Sequence, residues 1–447
     1  MSPSLDTYIQ RLPDDFLFGV ATSSYQIEGT NFGNCGLSHW DNFAKQSGRV
    51  FNGDDGSIAC DHYHLWEADL DLVRDAGFKA YRFSFSWPRI LPEDAKTINP
   101  KGIAFYDKLI DGMLERGVKP FATLYHWDLP VRYAQKGGWQ MRDTANYFAD
   151  YTDLVMSHFG DRLFSVAPIN EPWCVSWLSH YWGHHAPGLQ SISATAKAMH
   201  YVQLAHGLSI QVMRSHNHKY LGCVLNKEYA VPCDETEEAA KLTHLFDGIY
   251  NRWFEDSIFK GIYPEEVLNL FEGHMPDNYI NDMPIISEPL DWVGTNYYTR
   301  SLIKADKSEP IIGFKCERGT LPKTDMGWEI VPEGLVDLVE RTTQNCAPNL
   351  PHYITENGMA AVDNIQNDRI QDTNRINYFN SHLERIVSLK AQGINLAGYF
   401  TWSLLDNYEW AFGYAKRFGI VHVDFNTQKR TPKSSYFAWQ NALTNRQ

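Results

Sequence analysis

Cysteine is sparse and poorly placed for bridging. The seven residues (Cys35, Cys60, Cys174, Cys223, Cys233, Cys316 and Cys346) are odd in number and contain no C-x-x-C pair. They read as reduced thiols, and the expected setting is cytoplasmic. Basic charge is also short: 40 Lys and Arg stand against 54 Asp and Glu, a formal net charge of −14. That balance argues against nucleic acid and anionic lipid as partners. No apolar run approaches the length of a membrane span. The opening MSPSLDTYIQRLPDDF brings acids early and has no apolar stretch, so no secretory leader is expected. Repeats, linkers and low-complexity stretches are missing. So is any Gly-rich phosphate fingerprint after a strand-like run, which sets two doubly wound nucleotide-binding domains well behind.

What the chain does have is apolar and aromatic residues: 43% are hydrophobic, 14% aromatic, and 14 are Trp. At 447 residues it has the length for one large α/β barrel. Strand-like runs fall at 16–23, 80–86, 120–126, 163–170, 220–226, 290–299, 353–356 and 397–403. Most are apolar on both faces, the habit of parallel strands covered by helices. Between them lie helical patterns. In 372–393, Ile376, Phe379, Leu383, Ile386 and Val387 recur at three- and four-residue steps before Gly393. Similar patterns end at Gly77 and cover 101–116, 143–158, 194–214, 238–258, 334–345 and 431–444. Eight strands alternating with eight helices predict a single (β/α)8 domain over 1–447, a TIM barrel with long βα loops.

Active sites of that fold sit at the carboxyl ends of the strands. There the sequence gathers Gln26 and Glu28, Arg82, His126 and Trp127, Asn170 and Glu171, Asn296 and Tyr298, Glu356, then Trp402 and Glu409. Two glutamates, in Asn170-Glu171-Pro172 and Thr355-Glu356-Asn357-Gly358, end strand-like runs 185 residues apart. On strands four and seven they face each other across the barrel mouth. Acetal hydrolysis needs such a pair, one carboxyl to protonate the departing oxygen and one carboxylate to capture the cationic carbon. Arg82 and Tyr298 suit the task of keeping the nucleophile ionised. Asn170, Gln26, His126 and Glu409 suit hydroxyl groups, and Trp402 and Trp410 offer faces for a sugar ring.

These motifs resemble glycoside hydrolase family 1, the retaining β-glucosidases, nearly end to end. The peptides that carry the resemblance are Ala21-Thr22-Ser23-Ser24-Tyr25-Gln26-Ile27-Glu28-Gly29, Tyr81-Arg82-Phe83-Ser84, His126-Trp127-Asp128-Leu129-Pro130, Asn170-Glu171-Pro172, Asn296-Tyr297-Tyr298, Thr355-Glu356-Asn357-Gly358 and Asp406-Asn407-Tyr408-Glu409-Trp410. The resemblance implies Glu171 as acid/base and Glu356 as nucleophile. It implies a glycone subsite of Gln26, His126, Asn170, Trp402, Glu409 and Trp410, with Trp328 as platform for the leaving group. It implies neither metal nor organic cofactor.

Plainer readings apply to other residues. Trp87, Trp139 and Trp439 read as packing, and Cys174, three residues after Glu171, as packing near the site. His180 and His184 are four apart, but without H-E-x-x-H they suit a loop rim on the leaving-group side better than a metal. The acidic run at 234–238 reads as a solvated helix N-terminus. The expected activity is hydrolysis of β-glucosides, with side activity on β-fucosides and β-galactosides. A 6-phospho-β-glycosidase and a transglycosylase share the fold, and an inactive sugar-binding protein is the alternative from another class. Glu409 favours a free sugar, because a carboxylate repels phosphate and phosphosugar-specific relatives carry serine there. Aglycone preference, oligosaccharide length and oligomeric state are not readable.

Overall fold

The computed structural model describes residues 4–94, 96–366 and 369–446. Its barrel strands are β1 (Leu17–Ala21), β2 (Ala80–Ser84), β3 (Lys119–Tyr125), β4 (Ser165–Ile169), β5 (Gly222–Pro232), β6 (Trp292–Ala305), β7 (His352–Asn357) and β8 (Leu396–Trp402). Parallel pairing runs from β1 to β4 and from β5 to β8, and β8 returns to β1. Between β4 and β5 the ladder thins to the bridges Val166↔Leu221 and Asn170↔Val224. The Glu171 N–H completes the closure on the Val224 carbonyl at 3.0 Å. Each strand is followed by a helix: α1 (His62–Asp75), α2 (Pro100–Glu115), α3 (Arg142–Phe159), α4 (Ile192–Ser215), α5 (Glu237–Asp247), α6 (Pro332–Asn345), α7 (Thr373–Ala391) and α8 (Ser434–Thr444). The fold is a (β/α)8 barrel.

Burial explains why these residues form these elements. Every residue of β2 and β4 is buried, so neither strand shows polar-out alternation, and the polar members of β2, Arg82 and Ser84, are hydrogen-bonded to Glu356 and Ser24. Helix α2 buries Phe105, Tyr106, Leu109, Ile110 and Met113, one stripe at helical spacing. It opens with Pro100 after Asn99, whose side chain accepts from the Lys101 N–H. Gly393 follows α7 at φ 88°, a conformation that favours glycine. Phe121, Trp292, Tyr353 and Phe400 pack together and plug the barrel interior at the amino ends of the strands, leaving the carboxyl ends for a site. Trp87, Trp139 and Trp439 are buried, as their reading as packing implied. Thr236 caps α5 within the exposed acidic run.

Two strands outrun the sequence reading. β5 and β6 continue to Pro232 and Ala305 as a ribbon above the barrel mouth, and Phe314–Glu317 adds to β6 antiparallel. Lys227, Glu228, Arg300 and Lys304 interrupt the apolar runs there, which is why those residues read as loop. The pairing slips by one residue where Glu228 faces Tyr298 and Thr299. Such a bulge re-aims a side chain, here at the site.

Behind the loop after β8 lies a buried charge cluster. Asp406 accepts from Lys433 Nζ and Arg417 Nη1, each at 2.8 Å, and from the Gly419 N–H at 2.9 Å. Lys433 Nζ also pairs with Asp363 at 2.9 Å, and His422 Nδ1 lies 2.7 Å from the same carboxylate. The cluster fixes the loop that carries Glu409 and Trp410.

Candidate active site

Glu171 is the second residue past β4 and holds φ 52°, an uncommon conformation for a non-glycine residue. Its N–H is tied to β5, and its carbonyl accepts from the Cys174 and Val175 N–H groups at 3.0 and 3.2 Å, which starts the next helical segment. Glu356 lies in β7, where the registers with β6 and β8 both slip. Gly358 follows closely: a Cβ there would lie 1.8 Å from the Trp402 carbonyl oxygen, so the backbone beyond Glu356 rests directly on the end of β8.

The two carboxyls have different partners. Glu356 Oε1 accepts from Arg82 Nη1 at 2.5 Å, and its Oε2 from the Tyr298 hydroxyl at 2.7 Å. Glu171 Oε1 accepts from Asn296 Nδ2 at 2.6 Å, and its Oε2 from the Cys174 thiol at 3.1 Å. Asn170 Oδ1 receives both Arg82 Nη2 (2.7 Å) and Asn296 Nδ2 (3.0 Å), joining the two halves in one network. The Thr355 hydroxyl orients Asn296 by donating to Oδ1 at 2.7 Å.

Burial raises both carboxyl pKa values, and the partners then separate them. Glu171 is pushed up to about 8, first by burial and then by the negative charge of Glu356. Glu356 is also raised by burial, but the Arg82 charge and the bonds from Tyr298, Arg82 and Asn296 oppose the rise. These settings favour the proton on Glu171 over Glu356. Glu409 is lifted to about 8 as well, by burial and then by the charges of Glu356 and Glu171. Its Oε2 is buried without a partner.

A cavity of about 590 Å³ opens over both carboxyls, within the range of small-molecule sites. His126, Trp127, Asn296, Tyr298, Trp328, Trp402, Glu409 and Trp410 line it alongside Glu171 and Glu356. At its inner end the His126 ring is parallel to both Trp402 and Trp410, with centroids 5.9 and 6.0 Å away. Burial and the Arg82 charge hold the His126 pKa well below the usual histidine value, so the ring is neutral. Trp127 (φ 82°) donates from Nε1 to the Asn170 carbonyl at 2.9 Å. Trp410 (φ 50°) stacks on Tyr25 at 5.7 Å. On the other side Trp328 packs on Tyr298 and Phe418.

Three predicted site residues do not line the cavity. Arg82 and Asn170 act through the network above. Gln26 is buried with its amide engaged: Nε2 donates to Asn407 Oδ1 (2.9 Å) and the Tyr408 carbonyl (2.8 Å), and Oε1 accepts from the Ser23 hydroxyl (2.6 Å). It holds the peptide that carries Glu409. Glu28, grouped with these residues in the sequence, pairs instead with Arg89 and Tyr106. His184 lies on the cavity rim, while His180 is buried with Nδ1 3.0 Å from the Ser176 carbonyl. The reading of Cys174 as packing missed its contact with Glu171. Sequence reading also missed Trp182, Asn226, Glu228, Tyr250 and Arg318, which line the outer side of the cavity. The one signal for them was the polar end of the fifth run, Asn226-Lys227-Glu228.

Comparison with known proteins agrees with this geometry. The model of glycosyl hydrolase family 1 matches residues 8–447. The chain is similar to beta-glucosidase A of Thermotoga maritima, 44% identical with 98% of each protein covered. A beta-glucosidase of an Agrobacterium species is 45% identical, over 98% of this chain and 96% of that one. The solved family 1 β-glucosidase of Thermotoga maritima superposes with a TM-score of 0.95 at 43% identity, over 98% of this chain and 99% of that one. Opposed carboxyls, aromatic walls and an end-to-end match lead to one family: the chain is a glycoside hydrolase and belongs to glycosyl hydrolase family 1.

Proposed function

We propose that this chain is a retaining β-glucosidase in which Glu356 is the nucleophile and Glu171 the acid/base. The observation that carries the assignment is the unequal setting of the two carboxyls: Arg82 and Tyr298 favour a carboxylate at Glu356, and burial beside that charge keeps the proton on Glu171. In the first step Glu356 attacks the anomeric carbon, the glycosidic C–O bond breaks, and Glu171 passes its proton to the leaving oxygen. The ester that forms no longer carries the Glu356 charge, so the second influence raising the Glu171 pKa is removed. Glu171 is then a carboxylate able to take a proton from water. That water attacks the anomeric carbon and frees Glu356.

The substrate is a terminal non-reducing β-D-glucosyl residue of an oligosaccharide or of an aryl or alkyl β-glucoside, with side activity on β-fucosides and β-galactosides. His126, Trp402, Glu409 and Trp410 hold the sugar, and Trp328 faces the leaving group. Gln26, Arg82, Trp127, Asn170, Asn296 and Tyr298 contact the sugar or fix the groups that do. Hydroxyls donating to Glu409 satisfy its lone oxygen and favour its charged form. A 6-phosphate finds no comparable partner: Lys416 is engaged by Asp325 through the carbonyl (2.6 Å) and the carboxylate (3.0 Å). Hydrolysis needs no cofactor, and the seven unpaired cysteines support a cytoplasmic setting. One catalytic domain spans the chain.

The test is release of glucose from cellobiose and an aryl β-glucoside, with NMR of the first-formed anomer. β-Glucose must appear first, and α-glucose first would overturn the retaining reading. Product analysis with an added alcohol separates hydrolysis from transglycosylation.

A further inference from the structure

Beyond β6 the chain folds over residues 323–329 into a small hairpin. Lys323 bridges Glu329 antiparallel, the Thr324 N–H donates to the Trp328 carbonyl at 2.9 Å, and the Gly327 N–H donates to the Thr324 carbonyl at 2.9 Å. Gly327 turns the chain at φ 75°, with open space where a Cβ would stand. Two side chains of the hairpin, Met326 and Trp328, line the active cavity. Its base is fixed by the buried Glu329. Oε2 accepts from Arg300 Nε at 2.7 Å, Oε1 from the Leu321 N–H at 2.8 Å, and the carbonyl from the Thr299 hydroxyl at 3.0 Å.

The tip is half-buried and is gripped at Asp325 by the two neighbouring loops. The Asp325 N–H donates to the Ala360 carbonyl at 3.0 Å, on the loop after β7. Lys416, on the loop after β8, donates from Nζ to the Asp325 carbonyl at 2.6 Å and to its carboxylate at 3.0 Å. These two loops are joined in turn, because the Ala361 N–H donates to the Arg417 carbonyl at 3.1 Å. Lys416 therefore springs from a pinned segment, since its neighbour Arg417 is held by the buried Asp406. Phe418, two residues further on, packs on Trp328 at 6.1 Å and on Tyr298 at 6.0 Å. Neither Asp325 nor Lys416 lines the cavity.

A half-exposed ion pair adds little stability by itself. The bond from the same ammonium to the Asp325 carbonyl does something else: it fixes where the peptide lies. Three residues along that peptide, past a glycine turn, stands the Trp328 indole. We propose that Lys416 is a positioning residue of the reaction, clasping the hairpin tip through Asp325 so that Trp328 is a fixed wall for the leaving group. This rests on the β-glucosidase reading and adds to it a residue that does not touch the substrate. Its effect is selective. A leaving group that reaches the indole gains from a wall already ordered when the bond breaks, and one too small to reach it gains nothing.

The test compares a nitrophenyl β-glucoside with β-glucosyl fluoride, which form the same glycosyl-enzyme but differ in whether the leaving group can meet Trp328. Lys416→Met should lower the aryl-to-fluoride ratio of kcat/KM by about tenfold, a modest loss for a misplaced positioning group. Activity on the fluoride should stay near wild type. Lys416→Arg, which keeps donors for both oxygens of Asp325, should restore most of the ratio. Hydrogen exchange at residues 323–329 should quicken in Lys416→Met and not in Lys416→Arg. An unchanged ratio in Lys416→Met, or equal losses on the two substrates, would overturn the proposal. If Lys416→Met does not fold, Asp325→Ala removes the carboxylate half of the clasp, and the same ratio must fall. Wild type that cleaves neither substrate would defeat the activity reading instead, and hydrogen exchange would then decide the clasp, unchanged rates in Lys416→Met refuting it.

Discussion

At the inner end of the cavity the His126 ring lies parallel to Trp402 and to Trp410, the buried Glu409 carboxyl lines the same cavity, and the loop behind them is pinned by Asp406, Lys433 and Arg417. At the outer end Trp182, Glu228 and Arg318 stand on a ribbon and loops, and Arg318 and His184 reach solvent. The inner end is made from residues next to barrel strands, and each is held by several neighbours. The outer end is built from strand extensions that the barrel itself does not need. One end is suited to a fixed sugar, the other to a leaving group that varies. The contrast predicts that substitutions at Glu356 and the inner end affect all substrates, whereas outer ones sort them.

The largest effect expected is at Glu356. Glu356→Gln should lower kcat by on the order of 10⁴-fold or more on every glycoside, whatever its leaving group, as loss of a nucleophile does in a concerted site. A steady-state assay with both cellobiose and an activated aryl glucoside checks it. Glu171→Ala lies on the boundary and should split the substrates. Cellobiose should lose about 10²- to 10⁴-fold, the usual contribution of a general acid, while a dinitrophenyl glucoside loses far less in the first step. Equal losses on the two would remove Glu171 from the acid role.

Glu409→Ser tests the inner end away from the chemistry. Losing charge-assisted bonds to sugar hydroxyls should cost about 1.5–3 kcal/mol in kcat/KM for glucosides. The ratio of 6-phosphoglucoside to glucoside activity should rise, because the carboxylate that repels phosphate is gone. A wild-type preference for the phosphorylated substrate would contradict the free-sugar reading.

The smallest effect concerns pH. In the proposed mechanism activity requires Glu171 protonated and Glu356 ionised. With Glu171 raised to about 8, kcat/KM should hold below that value and fall as pH rises through it. The acidic limb lies lower, where Glu356 takes up a proton against Arg82 and Tyr298. Both limbs belong to the pair, since the two carboxyls titrate together. The Cys174 thiol lowers the Glu171 pKa by hydrogen bonding, so Cys174→Val should move the alkaline limb slightly upward. A downward shift in a pH–rate profile would show that the thiol does not stabilise the carboxylate.

The same contrast separates what the sequence made legible from what it did not. Strands buried on both faces announce themselves as apolar runs, and Glu171 and Glu356 stand out because a charge at the end of such a run has no packing role. His126 directly follows β3 and Trp402 ends β8, so both could be placed from chain position, whereas Trp410, eight residues beyond β8, was placed by the Asp406–Trp410 peptide of the family resemblance. Residues 227–232 and 300–305 were illegible as strands because Lys227, Glu228, Arg300 and Lys304 find their partners in Glu255, Arg318, Glu329 and Glu317, contacts that periodicity cannot register. The engagement of Gln26 by Asn407 and Tyr408 was hidden for a related reason. Its partners lie some 380 residues away in the chain.

Gly358 has a bearing on how this site can change over generations. With the Trp402 carbonyl oxygen 1.8 Å from where a Cβ would stand, the turn beyond Glu356 and the end of the strand bearing Trp402 are in direct contact. Any side chain at position 358 would drive the two apart, disturbing Glu356 and Trp402 at once. A lineage adapting to a new sugar therefore cannot shift one without the other, and its accessible variation lies outward along the ribbon.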